Sequence, residues 1–249
     1  MTRNNVDGNM LDKAVRLLET FRPTGGKFRL TELAVRTGLS KTTAFRLAGD
    51  LVRLGLLERS GDVYELGGKL FELGSLVPRR LELREAALPF MQDLFETTRA
   101  TVHLGIREGS EVVYVERIHG HDPLPLPSRI GGRLPLSCTG VGKALLAFSE
   151  AEVADGLLAQ PLPKLTRFSI TDPLRLRTAI EQTQVSGLAY EDQEAALGVS
   201  CIASPVFDGA LAVAALSVAV PRERFRPAHL APAVRTAALG LSRVLRRSA

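Results

Sequence analysis

Apolar residues in the first third of the chain recur at the three-and-four spacing of amphipathic helices. The remainder mixes such stripes with short, continuous apolar runs. Leu11, Ala14, Val15 and Leu18 predict a first helix, stopped at Pro23-Thr24-Gly25-Gly26. Leu30, Leu33 and Ala34 predict a second, turning at Gly38 and Leu39. Ala44, Leu47, Ala48, Leu51 and Leu54 form the inward stripe of a third, which Ser40 is placed to cap through its hydroxyl. Leu56 to Arg59 and Val63 to Leu66 are extended runs around a three-residue loop, Ser60-Gly61-Asp62, and read as a hairpin. Three helices and a basic hairpin predict a winged helix-turn-helix over residues 8–70, behind a polar Met1 to Asn9 expected to be disordered.

Leu70, Phe71 and Leu73 predict a short linker helix within 67–80, ended by Pro78, and Leu83, Ala87, Phe90, Leu94 and Phe95 the inner face of a longer one. Over residues 81–249 the pattern changes. Thr101 to Arg107 and Glu111 to Ile118 are strand-like and meet at Glu108-Gly109-Ser110. The segment His119 to Ser128 carries Pro123, Pro125 and Pro127 and reads as loop. Helices are predicted over Val141 to Phe148, after a Ser149/Glu152 capping box, and from Asp172 with Pro173 in its first turn. Leu188 to Glu191 is a short strand. Cys201 to Phe207 and Leu211 to Val220 pair around Asp208-Gly209, and an Ala- and Leu-rich helix closes the chain from about Pro227. Two strand pairs with helices between them make this part an α+β domain on a mostly antiparallel sheet.

The outer face of the third helix suggests chemistry. On a helical wheel Thr42, Arg46, Gly49 and Arg53 lie opposite the apolar stripe, with Lys41 and Thr43 at the N-terminal turn. Small hydroxyls and long cations there suit the DNA major groove. Thr42, Thr43 and Arg46 are candidates for base edges. Lys41, Arg53 and Arg59, with Ser40 at the cap, are candidates for phosphate contact. Charge distribution agrees. Residues 1–80 hold 14 Lys and Arg against 9 Asp and Glu, whereas residues 81–249 hold 18 of each, so the net +5 belongs to the front of the chain. Such an asymmetry suits a polyanionic partner for that part alone.

Other classes recede. No run approaches the ~20 apolar residues of a membrane span, and the N-terminus lacks a signal peptide's apolar core, so a soluble cytoplasmic protein is expected. Two cysteines, Cys138 and Cys201, make neither a disulfide framework nor a zinc site, and no metal or cofactor is expected.

Two stretches of the second domain stand out. Ser137-Cys138-Thr139-Gly140-Val141-Gly142 opens a helix with small residues. The backbone N–H groups of Gly140 and Val141 either receive an anion or belong to an ordinary loop-to-helix entry. Glu191-Asp192-Gln193-Glu194 precedes a strand bearing Cys201, and forms either a pocket wall or a solvated loop beside a core thiol.

With GLSKTTAFRL, YELGGKLFELG, RIGGRLPLSCTGVGKALLA and EDQEAALGVSCIASPVFD in this order, the chain resembles the IclR family of bacterial transcription regulators from about Leu11 to Leu245. The resemblance implies a winged-helix domain, a linker helix and a GAF-like effector domain. It also implies dimers or tetramers on a palindromic operator, and a small organic or aromatic acid as ligand. By motif position the pocket would include the backbone at Gly140 and Val141 and the side chains of Glu191, Cys201 and Ser217. Ala219 stands where similar members often offer a second hydroxyl. Leu70, Phe71 and Leu73 are candidates for the oligomer surface, or for packing onto their own domain.

Two rival readings stay in view. The second domain could be a Cys-dependent hydrolase, with Cys138 or Cys201 as nucleophile and His103, His119 or His121 as base, though no histidine sits in a recognisable catalytic context. The chain could also bind DNA without any ligand.

Overall fold

The structure, a computed structural model, describes residues 8–22, 26–121 and 124–248. The stop at Pro23-Thr24-Gly25 lies outside these residues. The chain divides into two compact units, Met1–Leu81 and Glu82–Ala249.

The first unit runs α1 (Met10–Glu19), β1 (Phe28–Arg29), α2 (Leu30–Thr37), α3 (Lys41–Arg53), β2 (Leu57–Ser60), β3 (Val63–Leu66) and α4 (Lys69–Gly74). Asn9 caps α1 by accepting the Asp12 N–H, and the Asp12 carboxylate accepts the Asn9 N–H in return. Gly38 ends α2 at φ 70°, a left-handed corner that a side chain would strain. Ser40 Oγ accepts the Thr43 N–H at 3.2 Å and starts α3. Leu17, Phe21, Leu33, Leu47, Leu51 and Leu57 then meet in one core with Tyr64.

Several expectations need correction here. Leu11 and Val15 are 70% and 47% exposed, while Ala14 and Leu18 pack on a core filled by Leu17 and Phe21, because the buried stripe runs 14, 17, 18, 21, three residues further along. Leu54 stands outside the stripe at 45% exposure, since α3 ends at Arg53 and Leu54 is its C-cap. The hairpin loop has two residues, because Ser60 already pairs with Val63. Phe28 and Arg29 add a third strand, giving the order β1-β3-β2. Two residues are too short a run to carry a period.

The chain passes into the second unit along α5 (Pro78–Thr98), which opens at Pro78 where the linker was expected to end. Proline lacks an N–H, but the first turn of a helix has no intrahelical use for one. There follow β4 (Thr101–Glu108), β5 (Glu111–Ile118), β6 (Arg133–Pro135), α6 (Gly140–Ala147), α7 (Ala151–Leu158), α8 (Pro173–Ser186), β7 (Ala189–Asp192), β8 (Val199–Asp208), β9 (Leu211–Pro221) and α9 (Pro227–Ser248). The Ser149/Glu152 box does not form: Ser149 Oγ donates to Leu146 O at 3.0 Å, closing α6, and Glu150 takes the N-cap of α7.

The six strands form one antiparallel sheet in the order β6-β5-β4-β9-β8-β7. Alternate residues divide between its faces. Val102, Leu104, Ile202, Leu216 and Val218 pack on Met91 and Leu94 of α5 and on Val234, Ala238 and Leu241 of α9. The opposite face packs Tyr114, Ala203 and Ala215 on Val141, Leu145 and Leu146 of α6 and Leu176 of α8. Polar residues are buried on this second face.

Candidate functional site

The outward surface of α3 offers the side chains read from the sequence. Lys41, Thr42, Arg46, Gly49 and Arg53 are exposed, and Thr43 is half-buried. The Thr43 hydroxyl lies 2.8 Å from Ser40 Oγ, so both serve the helix start and are held beside Lys41 and Thr42. Arg46 Nη2 rests 3.7 Å from Met10 Sδ, a weak contact that leaves the guanidinium outside the core. Arg53 pairs with Asp50 at 3.1 Å, both ends solvated. Arg59 donates to Gly61 O at 2.9 Å and stands 5.5 Å from the Tyr64 ring centroid, which fixes it on the hairpin. Sequence reasoning passed over Phe45, which is 55% exposed on the same helix. A large apolar side chain at position five of a helix is ordinarily read as core, and only the core's actual membership excludes it.

In the second unit the five sequence-derived candidates converge. Gly140, Val141, Glu191, Cys201 and Ser217 all line one cavity, joined by His103, Tyr114, Ser128 and Ala219. The sheet register brings this about. One cross-strand row reads Glu191, Cys201, Ala219, and the next reads Ala203, Ser217, His103, Arg117. α6 points its N-terminus at those rows. Thr139 Oγ1 accepts the Gly142 N–H at 2.9 Å, leaving the Gly140 and Val141 N–H groups without an intrahelical partner. A β-carbon at 140 would lie 3.0 Å from Cys201 Sγ, so a side chain there would need the thiol to give way. Leu126, Pro127 and Ser128 complete the wall, and Leu124 and Leu126 pack on Cys201, Val199 and Ala219.

The polar groups here are arranged in pairs. His103 Nε2 is 2.8 Å from Ser128 Oγ and its Nδ1 is 3.5 Å from Ser217 Oγ. Burial, aided by the charge of Arg117, holds His103 neutral, with its pKa down at about 3. Burial likewise pushes the Cys201 thiol up to about 12 and the Tyr114 phenol higher still. Glu191 Oε1 accepts the Glu194 and Ala195 N–H groups, yet burial lifts its carboxyl to about 7. Beneath it, Lys143 Nζ meets Glu194 Oε1 at 2.6 Å, with side-chain exposures of 2% and 8%. The sequence named His103 only as a possible base, and did not single out Tyr114, Ser128 or Lys143. Lys143 follows helical spacing into the core, where a lysine is seldom expected.

This chemistry suits binding rather than attack. A cysteine nucleophile needs a lowered thiol pKa and a base within hydrogen-bond reach. Both thiols are instead raised by burial, and Cys138 Sγ donates to Pro163 O at 3.4 Å. Among the described residues neither His119 nor His121 hydrogen-bonds a thiol, and none form a metal-binding cluster. The cavity itself is about 30 Å³. That is room for a water, whereas a cavity known to admit benzene measures about 150 Å³.

Comparison with known proteins places both sites in context. Residues 10–61 match the IclR helix-turn-helix domain and residues 76–243 the bacterial transcriptional regulator IclR C-terminal domain. The chain is 33% identical over 242 residues to the HTH-type transcriptional regulator XynR of Escherichia coli, covering 94% of this chain and 96% of that protein. It is also 33% identical over 239 residues to KipR of Bacillus subtilis, covering 93% and 94%. Among solved structures, it resembles an IclR homologue from Microbacterium hydrocarbonoxydans complexed with 4-hydroxybenzoate. The TM-score is 0.87 at 30% identity, over 96% of this chain and all of that one. Thermotoga maritima IclR is similar with a TM-score of 0.77 at 30% identity, over 96% and 99%.

Proposed function

The chain belongs to the IclR family of bacterial transcription regulators, and on that premise we propose that it binds a palindromic operator under control of a small organic or aromatic acid. The observation that carries this reading is the exposed outer face of α3, with Thr42 and Arg46 free of the core. Thr42, Thr43 and Arg46 read base edges, while Ser40, Lys41, Arg53 and Arg59 position the helix and hairpin on phosphates. One such module contacts few base pairs, so a homodimer or homotetramer supplies the affinity. Phe71 and Leu76, 81% and 72% exposed, are suited to that association.

In the second unit the acid docks its carboxylate at the Gly140 and Val141 N–H groups, with Glu191, Cys201 and Ser217 around it. A homologue of this fold carries 4-hydroxybenzoate, which supports an aromatic acid. Control then works by differential affinity: the ligand favours the state whose cavity is open, and operator affinity follows that population.

The 30 Å³ cavity favours a second reading, in which its side chains fill it permanently and the protein binds DNA without a ligand. Fluorescence anisotropy of a labelled operator, titrated with the protein in the presence of benzoates and short oxo-acids, separates the two. A shift in operator affinity with an acid that binds supports control. Measurable acid binding with no shift removes it.

A further inference from the structure

Three ionisable groups cluster at the cavity wall. Glu191 is 4% exposed and borders the cavity, and its neighbour Glu194 is 6% exposed. Among the described residues the cation paired with them is Lys143, whose Nζ is bound to Glu194 Oε1. Glu194 Oε2 is buried without a hydrogen bond. Fully charged, the cluster carries two negative charges and one positive in a water-poor interior. An acid docked at the start of α6 would add a second net negative charge. In so dry a setting, like charges placed this close repel strongly and favour protonation of one of them.

We propose that Glu191 resolves this conflict by taking up one proton as the acid binds, so that the cavity receives anion and proton together. Oε1 already accepts two backbone N–H groups, so the proton resides on Oε2, which has no hydrogen bond among the described residues. There it turns a repelling oxygen into a donor aimed at the ligand carboxylate. The inference rests on the acid-effector reading given above.

No other group facing Glu191 is as well suited. Burial raises Glu194 as well, but Lys143 opposes that shift through the ion pair at its Oε1. On β8 and β5 the Cys201 thiol and the Tyr114 phenol already hold their protons, as does Cys138 ahead of α6. On β4, His103 resists protonation because burial and Arg117 both oppose a positive charge. Asp192, the next residue on β7, is engaged by Arg222 and Ser200. Burial already raises the Glu191 carboxyl to about 7, so little further shift is needed.

The test is isothermal titration calorimetry on the full-length protein with benzoate and 4-hydroxybenzoate. Titrations run from pH 6 to 8.5 in phosphate and in Tris, whose ionisation enthalpies differ. The expected result is an affinity that falls about tenfold per pH unit above neutrality. Proton uptake should approach one per site at pH 8 and be small at pH 6. Glu191→Gln should bind with pH-independent affinity and no uptake. Should that variant not fold, the wild-type comparison between buffers decides alone. Binding by the wild type without uptake, or uptake retained by Glu191→Gln, overturns the proton link and spares the acid-effector reading. Absence of binding by either acid at every pH removes the aromatic-acid reading and the proton link built on it.

Discussion

Gly140 Cα faces Cys201 so closely that a β-carbon on residue 140 would lie 3.0 Å from the sulfur. Gly140→Ala therefore fills the cavity with its own methyl group and crowds β8. Overpacking of this kind costs about 1–3 kcal/mol. The expected outcome is a folded protein that binds operator but no longer responds to acid, measured by urea denaturation and operator anisotropy side by side. An unaltered response would place the ligand elsewhere.

Arg46 and Arg53 should separate by kind. Arg46→Ala should lose about 1–3 kcal/mol at particular base pairs and leave other positions alone. Arg53→Ala should weaken all sequences alike and reduce the salt slope by about one. Affinities for a panel of single-base operator variants at two salt concentrations test both.

His103 and Glu191 pull stability in opposite directions with pH. The Glu191 carboxyl is raised from 4.5 to about 7, so the folded state binds the extra proton and stability declines as pH rises through that interval. His103 is lowered from 6.5 to about 3, so the unfolded state binds the extra proton and stability grows as pH rises from 3 to 6.5. Each acts with a limiting slope of about 1.4 kcal/mol per pH unit, and between 4.5 and 6.5 they nearly cancel. His103→Asn should unmask the decline and Glu191→Gln the rise, read from urea midpoints across pH 4 to 8.

Lys143 tests the buried pair. Lys143→Met leaves Glu194 without its cation, which in a buried pair costs about 3–5 kcal/mol. Lys143→Met combined with Glu194→Gln should recover much of that loss. Equal instability of single and double variants would show that Lys143 matters through its packing instead.

Phe71→Glu should lower the oligomer's stability while the monomer stays folded, because Phe71 is 81% exposed and supports no core. Sedimentation velocity at several concentrations measures this.

The fold was legible where one physical cause acts alone. Ala44, Leu47, Ala48 and Leu51 show helical spacing because α3 has one buried side and one wet side. The β9 run LAVAALSVAV conceals its facing, since helices cover both sides of the sheet and nearly every position is apolar. Only Ser217, a hydroxyl among aliphatics, marked the cavity side. His103 and Tyr114 were hidden for a related reason: they reach the cavity through pairing between β4, β5 and β9, a relationship across more than a hundred residues. Ser149 misled because its hydroxyl has two equally local uses, and closing α6 won.

A chamber with space for a single water has a consequence for the concentration at which a regulator responds. If only a small fraction of molecules is expanded at any moment, apparent affinity is the intrinsic affinity scaled by that fraction. Leu124 and Leu126 pack over Cys201 and Ala219, and on the acid-effector reading that packing would set the fraction. The response threshold can therefore drift up or down through substitutions in this aliphatic cover, while every group that recognises the metabolite stays as it is.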